Sequence, residues 1–198
     1  MSMGYHRRFI GGRDGAVASG SFQKLLQKLA PTPYVDLTDG TPKRKIETYS
    51  GTARPKMVDM DHALISKQSV PIGTGGLICC VAMGIACRDA DEHLIAHIST
   101  GSEIRRLLRL LSLYEGRGVS VALREGIQDF GVLKRAYWEL SKMDLASLDI
   151  LEPGPNLVVF EGCFYHVRDG QALSYDWSGC SGLVALAPPP SKISIHSI

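Results

Sequence analysis

Gly73-Thr74-Gly75-Gly76-Leu77-Ile78-Cys79-Cys80-Val81-Ala82-Met83-Gly84-Ile85-Ala86, followed by Cys87-Arg88-Asp89-Ala90-Asp91-Glu92 and then His93-Leu94-Ile95-Ala96-His97, reads as strand, turn, strand. The glycines from Gly73 to Gly76 let the backbone bend sharply, and the apolar run after Cys80 suits a buried strand. The polar stretch from Arg88 to Glu92 suits a tight reversal. A hairpin of this length returns His97 towards Cys80, so the stretch predicts a nucleophile, a base and an orienting hydroxyl on one hairpin.

That proximity is what thiol chemistry requires. A free thiol has a pKa of about 8.5, so little of it is thiolate at neutral pH until a neighbouring imidazole takes the proton. The Thr74 hydroxyl is placed to hold one imidazole tautomer, and a turn at Gly73 to Gly76 would offer N–H groups to a developing oxyanion. A catalytic Cys80 is expected to alkylate faster than the other cysteines, with a depressed pH midpoint.

Leu77-Ile78-Cys79-Cys80-Val81-Ala82-Met83 with Leu94-Ile95-Ala96-His97 resembles the nucleophile segment of the chemotaxis receptor glutamine deamidases of the CheD type. Those enzymes carry a Leu-x-x-Cys-Val-Ala core, a threonine six residues before the cysteine and a histidine seventeen after it. Thr74, Cys80 and His97 match all three offsets. The Leu-x-x-Cys element is also similar to that of the cytotoxic necrotizing factor and Burkholderia lethal factor toxins. The resemblance covers roughly 30 residues, and Ile78 and Cys79 stand where those families carry small residues, which bears on substrate access. It implies a deamidase-toxin-like fold, conversion of a protein glutamine to glutamate, and Thr74, Cys80 and His97 as the catalytic set, with no cofactor and no metal.

Composition frames this reading. A chain of 198 residues with 44% hydrophobic content has room for one well-filled core. No apolar run approaches the roughly 18 residues of a membrane-spanning helix, and the first residues lack an apolar signal-peptide centre. Five cysteines, three of them at Cys79, Cys80 and Cys87, suit a reducing compartment better than a disulfide framework. The net charge is only +2, yet residues 1 to 60 hold ten Lys or Arg against five Asp or Glu. Such a basic region can touch a membrane, nucleic acid or an acidic partner. No groove-reading or base-stacking motif accompanies it, so a solvated arm is the better expectation.

Residues 1–56 are expected to form a loose basic leader with one short amphipathic helix carrying Phe22, Leu25, Leu26 and Leu29, and residues 57–198 a single catalytic domain. Pro31 and Pro33 end that helix, and residues 31–56 read as loops with one or two short strands. Thr100-Gly101-Ser102 precedes a helix from Glu103 to Tyr114, with Ile104, Leu107, Leu108 and Leu111 on one face and Arg105, Arg106 and Arg109 on another. Val119 to Leu123 alternate as a strand, and a second helix is predicted from Gln128 to Lys142. Leu157 to Phe160, Cys163 to Val167, Ala172 to Tyr175 and Leu183 to Leu186 read as further strands. The fold class is therefore α/β, a mixed β-sandwich or layered sheet flanked by helices.

Rival sites are few. Trp177-Ser178-Gly179-Cys180-Ser181-Gly182 echoes the toxin Ser-Gly-Cys element, with His196 sixteen residues on. Ser174 replaces the threonine, though, Pro188 to Pro190 stiffen the connection, and His196 lies at the chain end. A zinc site of Cys80, Cys87, His93 and His97 is disfavoured because Cys80 and Cys87 should face opposite sides of one strand. Cys163 and His166 are expected to face opposite ways as packing residues. His6 and His62 are background, and Asp129 and Asp176 are available to orient a histidine but are placed by no local motif.

The resulting expectation is a cysteine-dependent protein-glutamine deamidase with a thioester intermediate, capable of transglutamination where an amine outcompetes water. Its partner is a protein substrate with an exposed glutamine. It reads as a bacterial effector toxin acting in a host cytoplasm, or as a bacterial cytoplasmic enzyme if it serves chemotaxis. Two alternatives stay open: a non-catalytic interaction protein of the same fold, and a papain-like protease or acyltransferase.

Overall fold

Val81-Ala82-Met83-Gly84-Ile85-Ala86-Cys87 is buried at every position, which requires cover on both faces of the strand it forms. The computed structural model describes residues 42–114, 116–126, 131–168 and 171–186, and supplies that cover with a second sheet on one side and helices on the other. In chain order the strands are β1 (Glu47–Thr48), β2 (Lys56–Val58), β3 (His62–Lys67), β4 (Ile72–Gly75), β5 (Val81–Cys87) and β6 (Glu92–Ile98), then β7 (Val119–Glu125), β8 (Ser147–Leu151), β9 (Asn156–Phe160), β10 (Cys163–His166) and β11 (Gly182–Ala185). Helix α1 spans Gly101–Leu111 and continues into a 3₁₀ turn at Ser112–Tyr114, and helix α2 spans Val132–Leu140.

One sheet has the order β11-β3-β6-β5-β7-β8 and the other β1-β10-β9-β4-β2. The hairpin read from the sequence is β5 and β6, paired antiparallel from Val81 with Ile98 to Ala86 with His93. Odd-numbered residues of β5 and even-numbered ones of β6 meet Ile104, Leu107 and Leu111 of α1 and Leu133, Ala136 and Leu140 of α2. The opposite faces, with Cys80, Ala82, Ala86 and Ile95, pack against Ile72, Leu157, Val159 and Phe164 of the facing sheet. The architecture is thus mixed α/β, two packed sheets with helices on the outer face of the larger one. Helix α1 begins as its sequence suggests: the buried Glu103 carboxylate accepts the Ser99 and Thr100 N–H groups at 2.8 and 3.2 Å, which ties the side chain back to the backbone that enters the helix.

Four expectations change. Residues Arg44 to Lys56, assigned to the leader, belong to the sheets: Arg44 N–H donates to the Ile150 carbonyl at 2.7 Å, β1 pairs with β10, and Lys56 opens β2. The segment from Gly73 to Gly76 is mostly strand; only Gly76 (φ 70°) turns. Gly73 is small because a Cβ there would stand 2.7 Å from the Leu157 carbonyl oxygen, so the requirement is close approach and not a bend. Ala172 to Tyr175 forms no strand and makes only a single bridge, Ser174 to Lys56. The second helix begins later than Gln128, at Val132, and residues 127–130 lie outside the described set, as do the leader helix at Phe22 to Leu29, His6, Asp129 and His196.

Gly84 marks a close approach of the two sheets. A Cβ on it would lie 2.8 Å from Phe164 and 2.9 Å from Val159, both on the opposing sheet. Gly84→Ala should therefore lower unfolding free energy by about 1–3 kcal/mol in urea denaturation, and Phe164→Leu in the same chain should return part of it. A Gly84→Ala protein as stable as the parent would show that the sheets separate without cost.

Candidate functional site

Thr74 lies on β4 and His97 on β6, so the pair spans the two sheets instead of sharing the hairpin. Both are buried, at 0% and 4% exposure. The Thr74 hydroxyl stands 2.9 Å from the Val58 carbonyl and 2.8 Å from His97 Nδ1. A hydroxyl has one proton to give, and the carbonyl can only accept. Thr74 therefore donates to Val58 and accepts from His97 Nδ1–H, which leaves the lone pair of the neutral imidazole on Nε2. His97 Nε2 is buried and has no hydrogen-bond partner among the described residues.

Cys80 precedes β5. Ala82 sits directly opposite His97, so Cys80, two residues earlier, is its diagonal neighbour on the inter-sheet face. The register thus brings thiol and imidazole to one face, and no hydrogen bond joins them: Cys80 Sγ instead contacts Met60 Sδ and Cys79 Sγ, each at 4.0 Å. The Cys80 carbonyl accepts from Gly126 N–H at 3.0 Å, while the Cys80 N–H donates to nothing among the described residues. The N–H groups of Gly73 to Gly75, expected to serve an oxyanion, sit in a strand paired on both sides with β2 and β9.

The electrostatics run against a resting ion pair. Burial pushes the Cys80 thiol up to about 11, with the Cys79 thiol and the Asp61 carboxylate adding to the rise. Burial also lowers His97, partly offset by Asp61 and Asp59. The resting pair is a neutral thiol beside a neutral imidazole, so the depressed thiol midpoint expected from the sequence is replaced by a raised one. Desolvation outweighs the imidazole because the imidazole is itself buried and uncharged.

Asp61 and Met60 were passed over in the sequence. Asp61 takes a left-handed backbone (φ 63°), which aspartate tolerates better than most residues. Its N–H donates to the His97 carbonyl at 2.9 Å, and its carboxylate accepts the Ser99 hydroxyl at 2.5 Å. Met60, half exposed, covers the thiol. Only the Asp-His pair at Asp61-His62 hinted at this corner, and that pattern has no chemical specificity.

The rival sites disperse. Cys180 packs partly buried against the inter-sheet core in a turn whose Trp177 Nε1 donates to the Met57 carbonyl at 2.8 Å. Cys87 lies on the helix-facing side and donates its thiol to the Arg117 carbonyl at 3.2 Å, across the sheet from Cys80. His93 Nε2–H donates to the Val70 carbonyl at 2.8 Å, and His166 meets the Thr48 hydroxyl at 3.0 Å. Asp176 accepts from the Ser178 N–H and hydroxyl in its own exposed turn, so it orients no histidine. Among the described residues no helix is long and apolar enough to cross a membrane. No protein-family model matches the chain, and no curated protein is detectably similar to it.

His93, pushed down to about 4 by burial, and the lowered His97 tie stability to pH. Unfolded histidine titrates near 6.5, so below that pH the unfolded chain binds more protons than the folded one. Stability should be flat between about pH 6.5 and 8 and fall as pH drops towards about 4, by up to about 1.4 kcal/mol per unit for each histidine. Urea denaturation between pH 7 and 4 measures the slope, and His93→Gln should make it shallower; a pH-independent midpoint would contradict the burial of both rings.

Proposed function

We propose that the protein is a protein-glutamine deamidase of the deamidase-toxin type, with Cys80 as nucleophile, His97 as acid and base, and Thr74 as the residue that positions the imidazole. The observation that carries this reading is the Thr74 hydroxyl, which gives its proton to Val58 and so fixes the His97 tautomer, with Nε2 unpartnered among the described residues on the face that Cys80 shares.

Because both groups rest neutral, proton transfer accompanies attack. Cys80 Sγ bonds to the glutamine carboxamide carbon while its proton passes to His97 Nε2. The carbonyl oxygen gains the negative charge, and the Cys80 N–H, which has no acceptor among the described residues, is available to it. His97 then protonates the carboxamide nitrogen, ammonia leaves, and a thioester remains. Water attacks the thioester with His97 as base, releasing glutamate and restoring the thiol. An amine in place of water gives the transglutaminase product.

A second reading, a non-catalytic protein of the same fold, is favoured by the raised thiol and by the absence of a bond between Cys80 and His97. Incubation of the protein with bacterial and host-cell lysates, followed by mapping of glutamines that gain about one dalton, separates the two. Cys80→Ser and His97→Ala should abolish the conversion, and Cys180→Ala should retain most of it. Thr74→Ala should slow turnover by roughly ten- to a thousand-fold, with Thr74→Ser recovering much of the loss. Absence of any Cys80-dependent conversion in either lysate would favour the interaction protein.

A further inference from the structure

Two further sulfur atoms contact Cys80 Sγ, and deamidation uses neither. Cys80 Sγ stands 4.0 Å from Cys79 Sγ and 4.0 Å from Met60 Sδ. Two sulfur ligands that each lie about 2.3 Å from one ion and subtend about 120° are themselves about 4 Å apart. Both sulfur separations at Cys80 have that length. Cys79 is exposed and Met60 is 52% exposed, so an ion has a way in, while Cys80 is only 4% exposed and holds the inner vertex.

The donor set selects the ion. Hard cations such as magnesium and calcium need oxygen ligands, and zinc is usually held by four. Among the described residues no three His, Cys, Asp or Glu side chains converge, so a zinc cage has no donors here. Two thiolates and a neutral thioether are soft ligands, which suit copper(I). We propose that Met60, Cys79 and Cys80 form a copper(I) site.

Binding forms two thiolate–copper bonds and one thioether–copper bond and releases two thiol protons. No electron is transferred, since the metal arrives as copper(I). Two released protons make the affinity rise with pH, by up to about a hundredfold per unit while both thiols are protonated. An ion held here occupies the Cys80 lone pair that would attack a carbonyl, yet the inference needs nothing from the deamidase reading, because its readout is metal binding.

The experiment is an anaerobic titration of the reduced full chain against copper(I) held by bicinchoninate, with sulfur ligands counted by X-ray absorption. One copper per chain with three sulfur neighbours is expected. Cys79→Ser and Cys80→Ser should each weaken binding by roughly a hundredfold or more and Met60→Leu by about tenfold, with Cys163→Ser and Cys180→Ser unchanged. Cys79 and Met60 are exposed, so these two variants leave the core intact, as thermal unfolding would verify. Wild-type affinity no greater than that of Cys79→Ser, Met60→Leu binding as tightly as wild type, or a copper shell without three sulfurs would overturn the proposal.

Discussion

A single hydrogen bond, from His97 Nδ1–H to the Thr74 hydroxyl at 2.8 Å, ties the two sheets together at the corner that holds Cys80. It forms only if β4 and β6 face each other across a thin interface. That thinness is set by residues without bulk on the inter-sheet face: Gly84 beneath Phe164 and Val159, and Ala82 two residues earlier on the same strand. A larger side chain there would lift the sheets apart and leave the buried His97 Nδ1–H without its acceptor, at a cost of about 1–3 kcal/mol, while Thr74 keeps its bond to Val58. Packing and site geometry are therefore one constraint.

The same burial sets the charge state. A thiol and an imidazole taken out of water both favour their neutral forms, and Asp61, held by backbone bonds on either side and by Ser99, adds negative potential near both. Negative potential opposes the thiolate and supports the imidazolium. In the proposed reaction His97 would accept a proton during attack, and the raised Cys80 thiol would stay neutral between turnovers. Met60 and Cys79 surround the same thiol with polarisable sulfur, which neither raises its charge nor hydrates it.

Much of this was legible in the chain. The unbroken apolar run from Val81 to Ala86, the polar break at Arg88 to Glu92 and the return to His97 specify a central hairpin, because alternating contacts on both faces need apolar residues at every position. The helix after Thr100 was equally plain from its cap and its leucine stripe. What misled was Gly73 to Gly76: glycine signals either a bend or a close approach, and local sequence does not say which. Likewise the short strands at Lys56 and Ser147 carry weak patterns, since their pairing with β4 and β7 is decided by partners far along the chain.

The sequence by itself determined the identity and spacing of Thr74, Cys80 and His97 and the hairpin that puts the last two on one face, because strand periodicity is a local property. Only the tertiary structure decided that Thr74 approaches from the opposite sheet, which imidazole nitrogen it engages, that Cys80 rests as a neutral thiol, and that Met60, Asp61 and Cys79 surround it. Those outcomes depend on desolvation and on contacts between segments some twenty residues apart, such as Thr74 with His97 and Met60 with Cys80. Neither is encoded in any window of sequence short enough to carry a periodic signal.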